Sequence, residues 1–142
     1  MPTVSEVMTR DVEVIAPQET LQRAAQLMDE LNVGALPVCE GSRLLGMITD
    51  RDITVRAVAA GNVPAETRVS DVMSEGVRWV REDDSTDAVT KSMSGMQVRR
   101  VPVLNSRDEL VGIVSLGDLS TQGIDEADTA LREISQPSEP DR

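Results

Sequence analysis

GMITDRDI occupies residues 46–53, and GIVSLGDL occupies residues 112–119. Each has a glycine, two aliphatic residues, a hydroxyl residue (Thr49, Ser115) and an aspartate three positions later (Asp52, Asp118). Working outward, VSEVMT (4–9) returns as VSDVMS (69–74), an offset of 65 residues. The same offset pairs Met28 with Met93, Val33 with Val98, and Pro37-Val38 with Pro102-Val103. After residue 43 it becomes 66, pairing Gly46 with Gly112 and Ile48 with Val114. The second copy thus has one extra residue between its two apolar runs. A hairpin loop would absorb that residue without shifting strand register. The chain is a duplication of a unit of roughly 55–60 residues.

Each copy has the same pattern. A short apolar stretch (Val12 to Ile15; Val77 to Val80) precedes a polar turn. Leu21, Ala24, Ala25, Met28 and Leu31 then fall at helical spacing, as do Val89, Met93 and Met96, with Thr20 and Ser85 as N-caps. Two aliphatic runs follow, ALPVC then RLLGMIT in the first copy, and VPVL then LVGIVS in the second. A second helix starts near Asp50 and stops at Gly61, which suits a left-handed cap.

The expected fold is α+β (α/β): two β-α-β-β-α repeats packed with pseudo-two-fold symmetry, because a unit this short is marginal alone. The expected divisions are repeat 1 at 2–60, a linker at 61–68, repeat 2 at 69–122, a C-terminal helix at 123–134 and a disordered tail at 135–142. The helix rests on the spacing of Ile124, Ala127, Leu131 and Ile134.

Composition narrows the function. The net charge is −11, and Trp79 is the sole aromatic residue. Neither suits nucleic acid, which usually calls for a basic stripe or an aromatic platform for stacked bases. The 14 basic residues are Lys91 and 13 arginines, so a local phosphate pocket of arginines is compatible with the acidic whole. There is no histidine, which removes the usual base of hydrolytic dyads and triads and most zinc sets. The lone Cys39 forms no internal disulfide; in an apolar run it is favoured as a small buried residue over a redox thiol. No window approaches a membrane span of about 18 apolar residues. A cytoplasmic protein with no membrane association is expected.

The repeat also acts as a filter on the opening stretch. Asp50 becomes Leu116 and Arg51 becomes Gly117, so the second copy cannot hold a pair of catalytic carboxylates. What recurs is a hydroxyl and an aspartate at a strand-to-helix junction. The aspartate can accept hydrogen bonds from vicinal ribose hydroxyls, and the junction suits phosphate. The same two residues can instead simply cap the helix.

The VxxVMT/S openings, the NVGALPV and QVRRVPV segments, and the closing Gly, two apolar residues, Thr/Ser, x, x, Asp, twice in order, resemble a tandem pair of cystathionine-β-synthase (CBS) domains. This arrangement is called a Bateman module, and the chain is most similar to stand-alone bacterial CBS-domain proteins. The resemblance implies a regulatory module, not an enzyme, that binds AMP, ADP or ATP, or S-adenosylmethionine, in crevices between repeats. No cofactor or metal is required. It also implies a homodimer through the CBS modules and an unidentified regulated protein as partner. A structural or adaptor dimerisation module with no regulatory ligand is the alternative.

The resemblance places ribose and phosphate at Thr49, Asp52, Ser115 and Asp118. It places adenine around Val14, Ile15, Ala35, Leu36, Pro37, Arg100, Val101 and Pro102. Arg51, Arg56, Lys91, Arg99 and Arg100 are the phosphate candidates, each also explicable as a solvated charge. Arg51 stands beside the first junction where the second has Gly117, which favours the first copy for phosphate.

Overall fold

A computed structural model describes residues 2–96 and 99–120. The elements in chain order are α1 (Val4–Val7), α2 (Leu21–Leu31), β1 (Ala35–Glu40), β2 (Arg43–Thr49), α3 (Asp50–Asp52), β3 (Val80–Arg81), α4 (Thr86–Met96), β4 (Arg100–Leu104), β5 (Leu110–Ser115) and α5 (Leu116–Ser120). This is an α+β fold with small sheets. The expected helix over 123–134, the tail over 135–142 and Val98 lie outside the described residues.

The helices begin where side chains satisfy their free N–H groups. Thr20 Oγ1 accepts from Arg23 N at 3.1 Å, and Ser85 Oγ accepts from Ala88 N at 3.1 Å. Leu21, Ala24 and Met28 of α2 are buried, whereas Ala25 and Leu31 of the expected stripe are exposed. After α3 the backbone widens over Ile53–Val58, with Ala59 N donating to Thr54 O at 3.0 Å, five residues back. Gly61, at φ +81°, ends this run as expected.

Both hairpins share one register. Ala35 lies opposite Thr49 and Arg100 opposite Ser115, with a bulge at Val38/Cys39 in one and Val103/Leu104 in the other. The extra residue of the second copy sits in the turn. Cys39 pairs with Leu44 in the first hairpin and Leu104 with Leu110 in the second. Asn105 Oδ1 holds the longer turn by accepting from Arg107 N and Glu109 N at 2.9 and 3.0 Å.

The apolar stretch before α2 is shorter than expected as a strand. Ile15 makes a single parallel bridge to Val38, while Val80 and Arg81 pair with Val103 and Leu104. Glu82 N extends the second ladder to Leu104 O at 2.9 Å. Its counterpart in the first copy is Pro17, which has no N–H to give.

The packing units do not follow the sequence repeats. One unit is Glu13–Val77; the other, among the described residues, is 2–12 together with 78–96 and 99–120. Residues 69–74, which match 4–9 in sequence, therefore pack with the first copy's hairpin. Ser74 and Met47 exchange two backbone bonds, at 2.9 and 3.0 Å. In the other unit Thr9 and Ile113 do the same, at 2.8 and 3.0 Å. The expected linker is also pinned: Leu21 N donates to Thr67 O at 2.9 Å and Val69 N to Glu19 O at 2.8 Å.

Each unit has its own core. Ile15, Leu21, Met28, Leu36, Val38, Ile48, Val69 and Val72 are among those buried together in the first. Val4, Met8, Val80, Val89, Met93, Val101, Val103 and Val114 are among those in the second. The opening segment thus contributes valines and methionine to a core made otherwise from the other repeat.

Gly46 and Gly112 make these crossings feasible. A Cβ at Gly112 would stand 2.6 Å from Thr9 O and 2.8 Å from Met8 Sδ, and one at Gly46 would overlap Ser74 O. Gly95, near the end of α4, has nothing within 4 Å of such a Cβ. Gly46→Ala should therefore lose at least about 2 kcal/mol of unfolding free energy. Gly95→Ala should gain roughly 0.5–1 kcal/mol. Urea melts measure both, and an unchanged midpoint for Gly46→Ala would contradict the crossing geometry.

Candidate functional site

The end of β2 and the start of α3 form one junction, and the end of β5 and the start of α5 form its equivalent. Thr49 N donates to Asp52 Oδ2 at 3.0 Å, and Asp52 N donates to Thr49 Oγ1 at 3.0 Å. Ser115 N donates to Asp118 Oδ2 at 2.9 Å, and Asp118 N donates to Ser115 Oγ at 3.1 Å. The four residues expected at ribose and phosphate therefore come together as two pairs, one in each unit, and each pair is a reciprocal helix cap. All four are half-buried.

A backbone bond from the preceding segment completes each junction. Asp50 N donates to Gly34 O at 2.9 Å, and Leu116 N donates to Arg99 O at 3.0 Å. The substitutions at these matched positions go together. A Cβ on Gly34 would come 3.1 Å from Asp50 Oδ2, so the glycine makes room for the carboxylate. In the other unit Leu116 is 1% exposed and turns into the core, while Arg99 is exposed.

The arginines divide by their surroundings. Arg51 is exposed beside Asp52. Arg56 is engaged: its Nη1 donates to Val72 O at 3.2 Å and approaches Met73 O at 3.5 Å, with its Nε 3.9 Å from Asp52 Oδ1. Arg100 lies directly opposite Ser115 in the hairpin, next to Arg99. Lys91 lies on the exposed side of α4. The junction of Glu13–Val77 thus sets two arginines against Asp50 and Asp52. In the other, Arg100 lies opposite Ser115 and the Arg99 carbonyl accepts from Leu116 N, beside Asp118.

Strand alternation sorts the adenine candidates. Ile15, Leu36 and Val101 are 3%, 2% and 1% exposed and belong to the cores. Ala35 and Pro37 fall on the opposite face of their sheet, the face of Thr49; Arg100 and Pro102 share a face with Ser115. Val14 precedes the single bridge at Ile15 and lies outside the ladder. Val14 and Ala35 are half-buried, Pro37 and Pro102 buried, and Arg100 exposed.

An open cavity of the second unit lies elsewhere. It has a volume of about 640 Å³ and is lined by Thr3, Ser5, Arg81, Glu82, Asp83 and Ser106, none of them a candidate residue. Among the described residues no group of His, Cys, Asp and Glu is placed to hold a metal ion, and no helix is long and apolar enough to cross a membrane.

A CBS-domain family model matches residues 4–58 and 69–122. The chain belongs to the CBS-domain family. It is 41% identical to CBS domain-containing protein YhcV of Bacillus subtilis over 137 residues, 95% of this chain and 96% of that protein. It is 39% identical over 121 residues to hypoxic response protein 1 of Mycobacterium tuberculosis, covering 84% of each. Among solved structures it resembles Hypoxic Response Protein I with two coordinated zinc ions (TM-score 0.77, 37% identity, 84% of this chain and 98% of that one). It also shares its fold with CBSX2 in complex with AMP (TM-score 0.75, 23% identity, 87% of this chain and 96% of that one). The two matches to the family model follow the sequence repeat, whereas the packing units exchange the opening segments.

Two tests follow from the geometry. Asp52→Ala should lose about 1 kcal/mol through the cap, whereas Asp52→Asn, which keeps an acceptor for Thr49 N, should lose less than half of that in urea melts. Equal losses would show that charge, not the cap, sets the stability of this turn. Cys39 is 3% exposed, and burial pushes its thiol up from 9.0 to about 11. Its contribution to stability is fully present below pH 9.0 and is lost as the pH rises through about 11. The native chain should resist a thiol reagent at pH 8 and react once per chain in denaturant. Rapid native labelling would restore the redox alternative.

Proposed function

We propose that this protein is a regulatory module without catalysis of its own, which binds an adenine nucleotide (AMP, ADP or ATP, or S-adenosylmethionine) and signals occupancy to a partner protein. The observation that carries this is the recurrence of a hydroxyl–aspartate pair at the strand-to-helix junction of both units, in a chain of the CBS-domain family. A carboxylate held there is pre-oriented to accept two hydrogen bonds from a ribose diol. Arg51, Arg99 and Arg100 are placed to meet phosphate. That the same fold in CBSX2 holds AMP supports the choice of ligand. No metal or cofactor enters this function.

The output requires a second protein or a second copy. A ligand shifts a conformational equilibrium only by its difference in affinity for the two states. Leu31, Val55, Val58 and Val63, between 41% and 56% exposed, support association into a homodimer. One observation favours the adaptor alternative: both hydroxyl–aspartate pairs already have a structural occupation as caps.

Thermal unfolding with each of the four ligands separates these functions. A ligand at a hundred times its Kd should add about 2.7 kcal/mol to the unfolding free energy. Asp52→Asn with Asp118→Asn, which keeps the cap acceptors, should abolish the shift while leaving the unliganded protein near its parent stability. No shift with any ligand up to millimolar concentration would leave the adaptor function.

A further inference from the structure

We propose that the opening segment, residues 2–9, is exchanged between two copies of this chain, each copy's Thr9 closing the other's β4–β5 hairpin, with Asp11 as the strained hinge that drives the exchange. Every contact of the segment is then remade with residues identical in sequence, so the exchanged pair differs from two closed chains only at the hinge.

The segment is held in its unit as one piece. Thr86 N donates to Pro2 O at 3.1 Å, Val4 N to Asp84 O at 2.9 Å and Ser5 N to Glu82 O at 2.9 Å. At its other end Thr9 and Ile113 exchange two further bonds. Between these anchors Val4 and Met8, 0% and 8% exposed, enter the core, and Val7 packs against it. All of these hydrogen-bond partners lie beyond Val77, so the whole of Glu13–Val77 intervenes in the chain between the segment and what it closes. Residues 69–74, alike in sequence, close a hairpin within their own stretch of chain. The first segment alone reaches across an intervening unit to its hairpin.

The hinge supplies the driving force. Only Arg10, Asp11 and Val12 separate Thr9 from Glu13, where the other unit begins. Asp11 sits at φ +55°, in the left-handed region. The repeat offset of 65 matches it with Gly76, at φ +64°. Glycine takes that conformation without steric cost, whereas the Cβ of an aspartate crowds the following carbonyl. The two hinges therefore share one shape, relaxed at Gly76 and strained at Asp11. A short connection under strain favours exchange, because the hinge opens while the core and edge contacts are kept. Two closed chains carry the strain twice, and one exchanged pair relieves it twice.

Covalent trapping in the full chain tests this. Thr9 and Ile113 are antiparallel bridge partners that exchange hydrogen bonds, which sets their Cα atoms about 5.5 Å apart, within disulfide reach. All variants carry Cys39→Ala, so only introduced thiols react. Thr9→Cys and Ile113→Cys chains are purified separately, mixed at high concentration and mildly oxidised; a short bismaleimide bridges the same pair independently of disulfide geometry. A chain with one thiol can bond only to another chain, so linked heterodimer should accumulate beyond the homodimer that either variant gives alone. Adding Asp11→Gly to both chains should slow heterodimer formation at least about fivefold. Arg10→Gly, which loosens the connection without relieving Asp11, should not slow it. Absence of heterodimer with both oxidant and bismaleimide overturns the exchange. Heterodimer formed as fast with Asp11→Gly overturns the hinge as its driving force.

Discussion

The close passage of one backbone over a glycine is the constraint on which both units depend. Ser74 crosses Gly46, and Thr9 crosses Gly112, each close enough that no side chain fits beneath. Each crossing closes the outer edge of a hairpin with two backbone bonds, satisfying groups that would otherwise remain an open sheet edge. The closing segment then delivers its valines into the core behind the sheet: Val4 in one unit, Val69 and Val72 in the other. With no Phe or Tyr to fill space, these aliphatic contributions matter to cores assembled from Val, Leu, Ile, Met and Ala. The duplicated chain therefore folds as two units that have exchanged their opening segments.

The junctions inherit their geometry from the same arrangement. Each strand runs from the crossing to a hydroxyl that caps the next helix, and the aspartate one turn later reaches back to the strand's last N–H. A carboxylate fixed in this way has one oxygen committed to the cap and keeps a defined orientation whether or not a ligand is present. In Glu13–Val77 the carboxylate is linked further, through Arg56, to the carbonyls of Val72 and Met73. Those carbonyls belong to the segment that leads into the crossing at Ser74. Arg56 thereby ties the Asp52 cap to the strand crossing within that unit.

The units differ where they would need to differ for two sites to be distinguished. Gly34 with Asp50 in one is replaced by Arg99 with Leu116 in the other, a coupled change from carboxylate-over-glycine to arginine-beside-a-buried-leucine. Val14 is replaced by Trp79, and Gly117 stands where Arg51 does. Duplication supplied two copies of one scaffold; these substitutions changed charge and shape at matched positions while leaving the hairpin register intact.

Much of this was determined by sequence alone. The offset of 65, lengthening to 66, located the extra residue of the second hairpin turn, the caps at Thr20 and Ser85, and the hydroxyl–aspartate pairs. Those features are local, fixed by spacing within one element or between neighbours in the chain. Tertiary structure decided what depended on distant partners. Whether Arg56 was available for a phosphate depended on carbonyls sixteen and seventeen residues away. That Arg99 and Arg100 stand at Ser115 depended on hairpin register, and that Ile15, Leu36 and Val101 turn inward depended on which sheet face met the core. The exchange of opening segments was the least legible of all. A repeat in sequence records which residues are alike, whereas a core forms between whichever apolar faces close most water out. Nothing in the likeness of residues 4–9 to 69–74 specifies which hairpin each will close.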